Sequence, residues 1–142
     1  MQLMDNKRLV RHFIDLTWNQ GRHSIARSLL RRDFTYHASM IDEPMDFDGM
    51  VALINTIKAA MDDFSVSVEE ILAEGDRVVT QSTFTGTLVR PLLGFEPSDR
   101  LLSLSAVTFW SIARGQIVDG QSQLDTAELA RHIQRSSVRF TA

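Results

Sequence analysis

Leu101-Leu-Ser-Leu-Ser-Ala-Val-Thr-Phe-Trp-Ser-Ile112, then the turn Ala113-Arg114-Gly115 and the run Gln116–Leu124, decides how this chain folds. The first run carries no charge and is rich in β-branched and aromatic residues, so it reads as a strand in the middle of a sheet, not on its edge. Alternation puts Leu104, Ala106, Thr108 and Trp110 on one face and Ser103, Ser105, Val107, Phe109 and Ser111 on the other. Both faces are largely apolar, so both are expected to be covered. One would line an internal pocket, and the other would meet a second layer or a second subunit.

Upstream of this pair, Phe64–Ala73 and Arg77–Leu88 alternate as two more strands, joined at the hairpin signal Glu74-Gly75-Asp76. The N-terminal part is helical in period. Leu9, Val10, Phe13, Ile14, Thr17 and Trp18 form one stripe of a helix over about Asn6–Asn19, with Asp5 as its cap and Gly21 after its end. A short helix is expected over Ser24–Arg31, capped by Ser24, burying Ile25, Leu29 and Leu30, with Arg31 and Arg32 in its last turn. A strand follows at Phe34–Ala38. Residues 39–48 form an acidic loop, and a third helix runs from near Asp48 to about Met61 on the stripe Met50, Leu53, Ile54, Ile57 and Met61. Pro91–Asp99 reads as a loop. Asp125-Thr126-Ala127-Glu128 is a capping box that opens a last helix to about Arg135, before a loose tail. The order α-α-β-α-β-β-β-β-α implies an α+β fold: a cone-shaped α+β barrel, its curved antiparallel sheet wrapped over the N-terminal helices. The chain reads as one domain, residues 1–142 with a core at about 6–135. The open end of such a cone is a natural pocket.

Composition narrows the function classes. The net charge of −3 and the absence of interleaved basic and aromatic strand residues argue against a nucleic-acid partner. No apolar run approaches the roughly 20 residues of a membrane span, and the N-terminus has no apolar signal core, so a cytoplasmic location without membrane contact is expected. With no cysteine there is no disulfide and no thiolate chemistry. The carboxylates of residues 42–48 lack His or Cys partners and read as solvated, so no metal is assigned. His12, His23 and His132 stand at no ligand spacing, and no phosphate-cradling or nucleophile-elbow motif occurs. No cofactor is assigned.

A series of short motifs resembles a known family. Trp18-Asn19-Gln20-Gly21, Asp33-Phe34-Thr35-Tyr36-His37, Phe64-Ser65-Val66, the run Ile71–Val79, Gly86-Thr87, Leu93-Gly94-Phe95-Glu96-Pro97 and the run Ile112–Val118 come in the order found in SnoaL-like polyketide cyclases of the nuclear transport factor 2-like superfamily. The resemblance implies the cone fold. It also implies ring closure in natural-product biosynthesis and a homodimer formed through the outer sheet face, here Val79, Gln81, Thr83 and Thr85 or their alternates. The superfamily also holds isomerases, epoxide hydrolases and non-catalytic binding modules, so fold does not settle function. In the cyclases that this chain resembles, an acidic residue five positions after the Ile of the Gly-x-Ile turn drives an aldol closure. Counting from Gly115-Gln116-Ile117, that position is Ser122. The family's Gln and His on the preceding strand correspond to Ala106 and Thr108, and its Asn or Asp before the strand-one His corresponds to Tyr36.

A serine hydroxyl titrates far from working pH and does not replace a carboxylate as acid or base. Four candidates for chemistry follow: Tyr36, His37, Ser122 and Asp125. Tyr36 shares a strand face with Phe34 and points inward, either as a core hydrogen-bonding group or toward a substrate carbonyl. His37 is a potential general base or a strand-end residue bonded to a loop. Ser122 faces the pocket with Val118, Gly120 and Leu124. Asp125 reads first as a helix cap and second as a shifted catalytic carboxylate. Trp18, Leu104, Ala106, Thr108, Trp110 and Leu124 are the expected substrate-binding residues. The reading is an enzyme that folds a hydrophobic small molecule in an apolar pocket. Ring closure there comes more by shape, as in a Diels–Alder cycloaddition, than by an ionised side chain. The alternatives are an acid/base isomerase or aldol cyclase using His37 or Asp125, and a non-catalytic binding or dimerisation module.

Overall fold

The computed structural model describes residues 2–92 and 94–125. Its elements are α1 (Gln2–Ile14), α2 (His23–Arg27), β1 (Leu30–Ala38), α3 (Phe47–Ala60), β2 (Met61–Glu74), β3 (Arg77–Leu88), β4 (Leu101–Ala113) and β5 (Gln116–Leu124). The expected helix after Asp125 and the tail lie outside the described residues. One five-stranded sheet runs in the order β1-β5-β4-β3-β2. Neighbours pair antiparallel except β1, which lies parallel to β5. The sheet is therefore mixed, not wholly antiparallel. β1 and β2 are its two edges, and the curved sheet stays open and wraps over the helices. The expected α+β cone is the observed architecture. Among the described residues no helix is long and apolar enough to cross a membrane.

β4 is central, as its charge-free sequence implies, with a full ladder to β3 and another to β5. Its inner residues Leu102, Leu104, Ala106, Thr108, Trp110 and Ile112 are buried. On its outer face Phe109 is 39% exposed and Leu101 67%. The β4–β5 turn has positive φ at both Arg114 (49°) and Gly115 (75°), the backbone of a type I′ hairpin, which matches strand twist. A register shift between Ser111 and Ile112 opposes Ile117 to Ile112 and leaves Val118 as the extra residue of a bulge. Ile117 is thereby fully buried, so the expectation that Val118 faces inward with Gly120 and Ser122 is corrected.

Three helix boundaries differ from those read in the sequence. α1 begins at Gln2, so Asp5 lies in its first turn and is not its cap. Its C-terminal end widens into a π-helical turn over Asp15–Asn19, which buries Leu16, Thr17 and Trp18. α2 is only His23–Arg27, with Arg22 in the cap position and no side-chain cap. Ala26, not Ile25, is its buried residue. Leu30, Arg31 and Arg32 belong to β1, because Leu30 pairs with Ile117 of β5 and sheet pairing outweighs local helical period. In the acidic loop Asp46 is the N-cap of α3, accepting from Gly49 N–H at 2.9 Å, and Asp48 pairs with Arg27.

The core falls into two clusters. The larger fills the narrow end of the cone around Phe13, whose ring meets Phe34, Phe47 and Trp110 at centroid distances of 6.1, 6.0 and 5.7 Å. The smaller joins Ala60, Met61, Leu88, Leu102 and Leu104 at the wide end. Ile57 and Phe64 touch both. The space between the clusters is the hollow described next.

Candidate functional site

The hollow opens at the wide end of the cone and encloses about 120 Å³ of free space. An engineered cavity of about 150 Å³ holds one benzene ring. The walls therefore take one ring-sized group as they stand, and anything larger extends through the mouth. The sheet supplies Phe84, Leu104, Ala106 and Leu124; α3 supplies Leu53 and Ile57; Trp18 and Phe64 close one side. Met40 and Ile41 from one loop, with Leu92 and Phe95 from another, rim the mouth. Apart from the Tyr36 phenol, no ionisable side chain among the described residues lines it.

The polar content is a series of hydroxyls. Thr108 of β4 stands opposite Ser122 of β5, and its Oγ1 donates to Ser122 Oγ at 3.2 Å. Ser122 in turn faces the hollow beside the phenol of Tyr36 on β1, whose neighbouring strand residue is Gly120. Tyr36 is 5% exposed and Thr108 6%. Burial pushes the Tyr36 phenol above its ordinary value of 10, and the neighbouring Ser122 hydroxyl opposes the rise in part. The phenol is thus neutral at working pH, a donor and not a base. Thr108 donates to Ser122, and both Tyr36 and Ser122 line the hollow, so the phenol is a donor on its wall.

Gly120 makes this arrangement possible. It sits opposite both Tyr36 and Trp110 in the two ladders. A Cβ there would lie 2.9 Å from the Trp110 ring and 3.2 Å from Tyr36 Cδ1. Without one, the two rings lie side by side across β5 at 6.3 Å. Trp110 is pinned from behind, its indole N–H donating to Thr80 Oγ1 at 2.9 Å. At the mouth, Ser39 Oγ accepts from Leu124 N–H at 3.1 Å and ties the loop to β5.

Of the expected binding residues, Trp18, Leu104, Ala106 and Leu124 line the hollow. Thr108 and Trp110 stand behind the wall, one bonded to Ser122 and the other packed on Phe13 and Tyr36. Of the four candidates for chemistry, Tyr36 and Ser122 come together. His37 does not join them: period two along β1 turns it to the outer face, where it is exposed. Asp125 is exposed just past β5, its N–H donating to Ser105 O at 3.0 Å, and is not part of the lining. Neither lines the hollow. The sequence reading missed Phe64, Phe84 and Leu88, although Phe84 and Leu88 follow the period-two set of β3 that includes Val78 and Thr80. It also missed Leu53 and Ile57 as lining, while placing both on the stripe of α3. Met40, Ile41, Leu92 and Phe95 lie in loops, where no periodic signal exists.

A curved open sheet over helices, with an apolar hollow at its wide end, defines the cone class of small α+β proteins. The family model for SnoaL-like polyketide cyclases matches residues 8–133, and the chain belongs to that family. Among solved structures, it is similar to AclR from Streptomyces galilaeus, a candidate hydroxylase (22% identity, 93% of this chain and 86% of that one, TM-score 0.77). It is also similar to IdmH from Streptomyces antibioticus, a candidate polyketide cyclase (21% identity, 88% and 98%, TM-score 0.74). An LEH-like epoxide hydrolase from M. tuberculosis aligns over 99% of this chain and 98% of its own at 16% identity, TM-score 0.71. At these identities the likeness carries the fold alone. No curated protein sequence matches the chain.

Proposed function

We propose that this protein is a small cyclase that binds a neutral, apolar, carbonyl-bearing intermediate and promotes its intramolecular ring closure. Membership of the SnoaL-like family supports the cyclase class. The observation that carries the mechanism is the pair of hydroxyls Tyr36 and Ser122, the latter bonded to Thr108 behind it, in the wall of an otherwise apolar hollow. Holding the reacting ends together supplies several kcal/mol without any acid or base, on the order of 7–11 when alignment is complete. The phenol donates to the substrate carbonyl, draws electron density toward its oxygen and stabilises charge that builds there. Because the proton stays on Tyr36, this reading fits a concerted, cycloaddition-like closure better than an aldol closure.

The test is kinetic. Tyr36→Phe is expected to lower kcat by about 100-fold while leaving hydrophobic binding in place, the scale of losing one such donor. The pH–rate profile is expected to be flat below the phenol's raised pKa. A bell-shaped profile that collapses in Asp125→Asn or His37→Ala would instead establish the acid/base reading. A second copy of the chain is the proposed cover for the exposed outer face around Phe109, giving a homodimer.

A further inference from the structure

Trp18 closes one side of the hollow, yet nothing polar on its ring holds it. Among the described residues its indole N–H has no hydrogen-bond partner, in contrast to Trp110, which is pinned to Thr80. The ring is fixed by packing, edge-on to Phe84 at 5.0 Å and tilted against Phe64 at 6.0 Å. Phe64 in turn is loosely tied on its β3 side: the ladder is interrupted between Asp62 and Ser65, and Asp63 takes a left-handed φ of 53°. The missing restraint comes from Asn19. Its Nδ2 donates to Val66 O at 2.9 Å, and its Oδ1 accepts from Val66 N–H at 2.9 Å. This clamp joins the end of the π-helical turn to the free edge of β2, two residues beyond Phe64 on the same face. Asn19 Nδ2 also lies 3.1 Å from Asp15 Oδ1, which braces it across the turn.

Resting on the reading of the hollow as a binding site, we infer that Asn19 is its specificity-determining residue. It holds Trp18 and Phe64 at a fixed separation and so sets the size of the group the hollow admits. Asn19 is exposed and does not line the hollow, so it is a positioning residue that acts through the adjacent Trp18. A π-helical turn suits this task. Its extra residue places Trp18 inward and Asn19 on the strand edge in consecutive positions.

The experiment uses the full chain labelled with 5-fluorotryptophan. The sequence has two tryptophans, so the fluorine spectrum carries two signals, assigned with Trp18→Phe. Binding of acetophenone and of the two-ring 2-acetonaphthone is then measured in wild type, Asn19→Ala and Asn19→Asp, the last keeping the acceptor to Val66 N–H and losing the donor. The wild type is expected to prefer the one-ring ketone. Both variants are expected to move the Trp18 signal with Trp110 unmoved, and to shift the preference toward the two-ring ketone by about 10-fold, the scale of a small change in pocket size. An unmoved Trp18 signal, or equal changes in both affinities, overturns the inference. If the wild type binds neither ketone, the reading of the hollow fails, and the fluorine signals still decide whether Asn19 positions Trp18.

Discussion

Tyr36, Ser122 and Thr108 come from three strands and meet only because β1 runs parallel to β5 while β4 runs antiparallel to it. The sequence pointed to the first two separately: Tyr36 by period two with Phe34, Ser122 by its distance from Gly115-Gln116-Ile117. That they line one wall together was not legible, because no local pattern states which strand neighbours β1. His37, next to Tyr36 in sequence, falls on the opposite face of the strand and is exposed. Gly120 is the residue on which the site's geometry turns. Gly120→Ala is expected to cost roughly 1–3 kcal/mol by overpacking against buried rings, measured by chemical denaturation, and to shift the phenol. His23 gives a second prediction. Its Nδ1 is buried with no hydrogen-bond partner among the described residues, and burial, then the charge of Lys58, lowers its pKa below 6.5. The unfolded chain therefore takes up this proton more readily than the folded one. The contribution to stability is complete above about pH 6.5 and is lost as pH falls below it. Thermal midpoints from pH 7.5 to 5 are expected to fall less steeply in His23→Gln than in wild type.

At the scale of elements, charge and period located the four long strands β2 to β5 closely, since each alternates over many residues. The short ones failed for a physical reason. Leu29-Leu30-Arg31-Arg32 has helical spacing, but a helix that short gains little from its own hydrogen bonds, and the edge of β5 offers more. The bulge at Val118 was equally invisible, because it depends on how two strands twist against each other. The β4–β5 turn was read correctly as a turn but not as type I′, a backbone that holds Arg114 at φ 49°. A side chain such as Asn tolerates that region better than Arg. Arg114→Asn is expected to stabilise the protein by a few tenths up to about 1 kcal/mol, raising the thermal midpoint by about 1–4 °C in scanning calorimetry.

For the molecule as a whole, the cone and its hollow followed from element order and from the ordered motifs, while the substrate does not follow from either. On the proposed reading, the hollow's small free volume and hydroxyl-only polarity call for one ring-sized group, neutral, with an acceptor oxygen. The outer face is the other whole-molecule feature. Leu72, 58% exposed on β2, lies in one cross-strand row with Val79 and Phe109. An exposed apolar row running from the edge strand β2 to the central β4 suits burial against a second copy. Phe109→Asp is expected to turn a dimer into a monomer in light scattering after size exclusion, with the far-ultraviolet circular dichroism unchanged. A wild type that is monomeric at high concentration would refute this. The central claim, a neutral phenol donating to a carbonyl inside an apolar hollow, is tested most directly by the infrared carbonyl stretch of bound, carbonyl-labelled acetophenone. The account predicts a shift to lower frequency in the wild type, relative to the ketone in hydrocarbon, that disappears in Tyr36→Phe. A bound ketone whose stretch is the same in both proteins would contradict it.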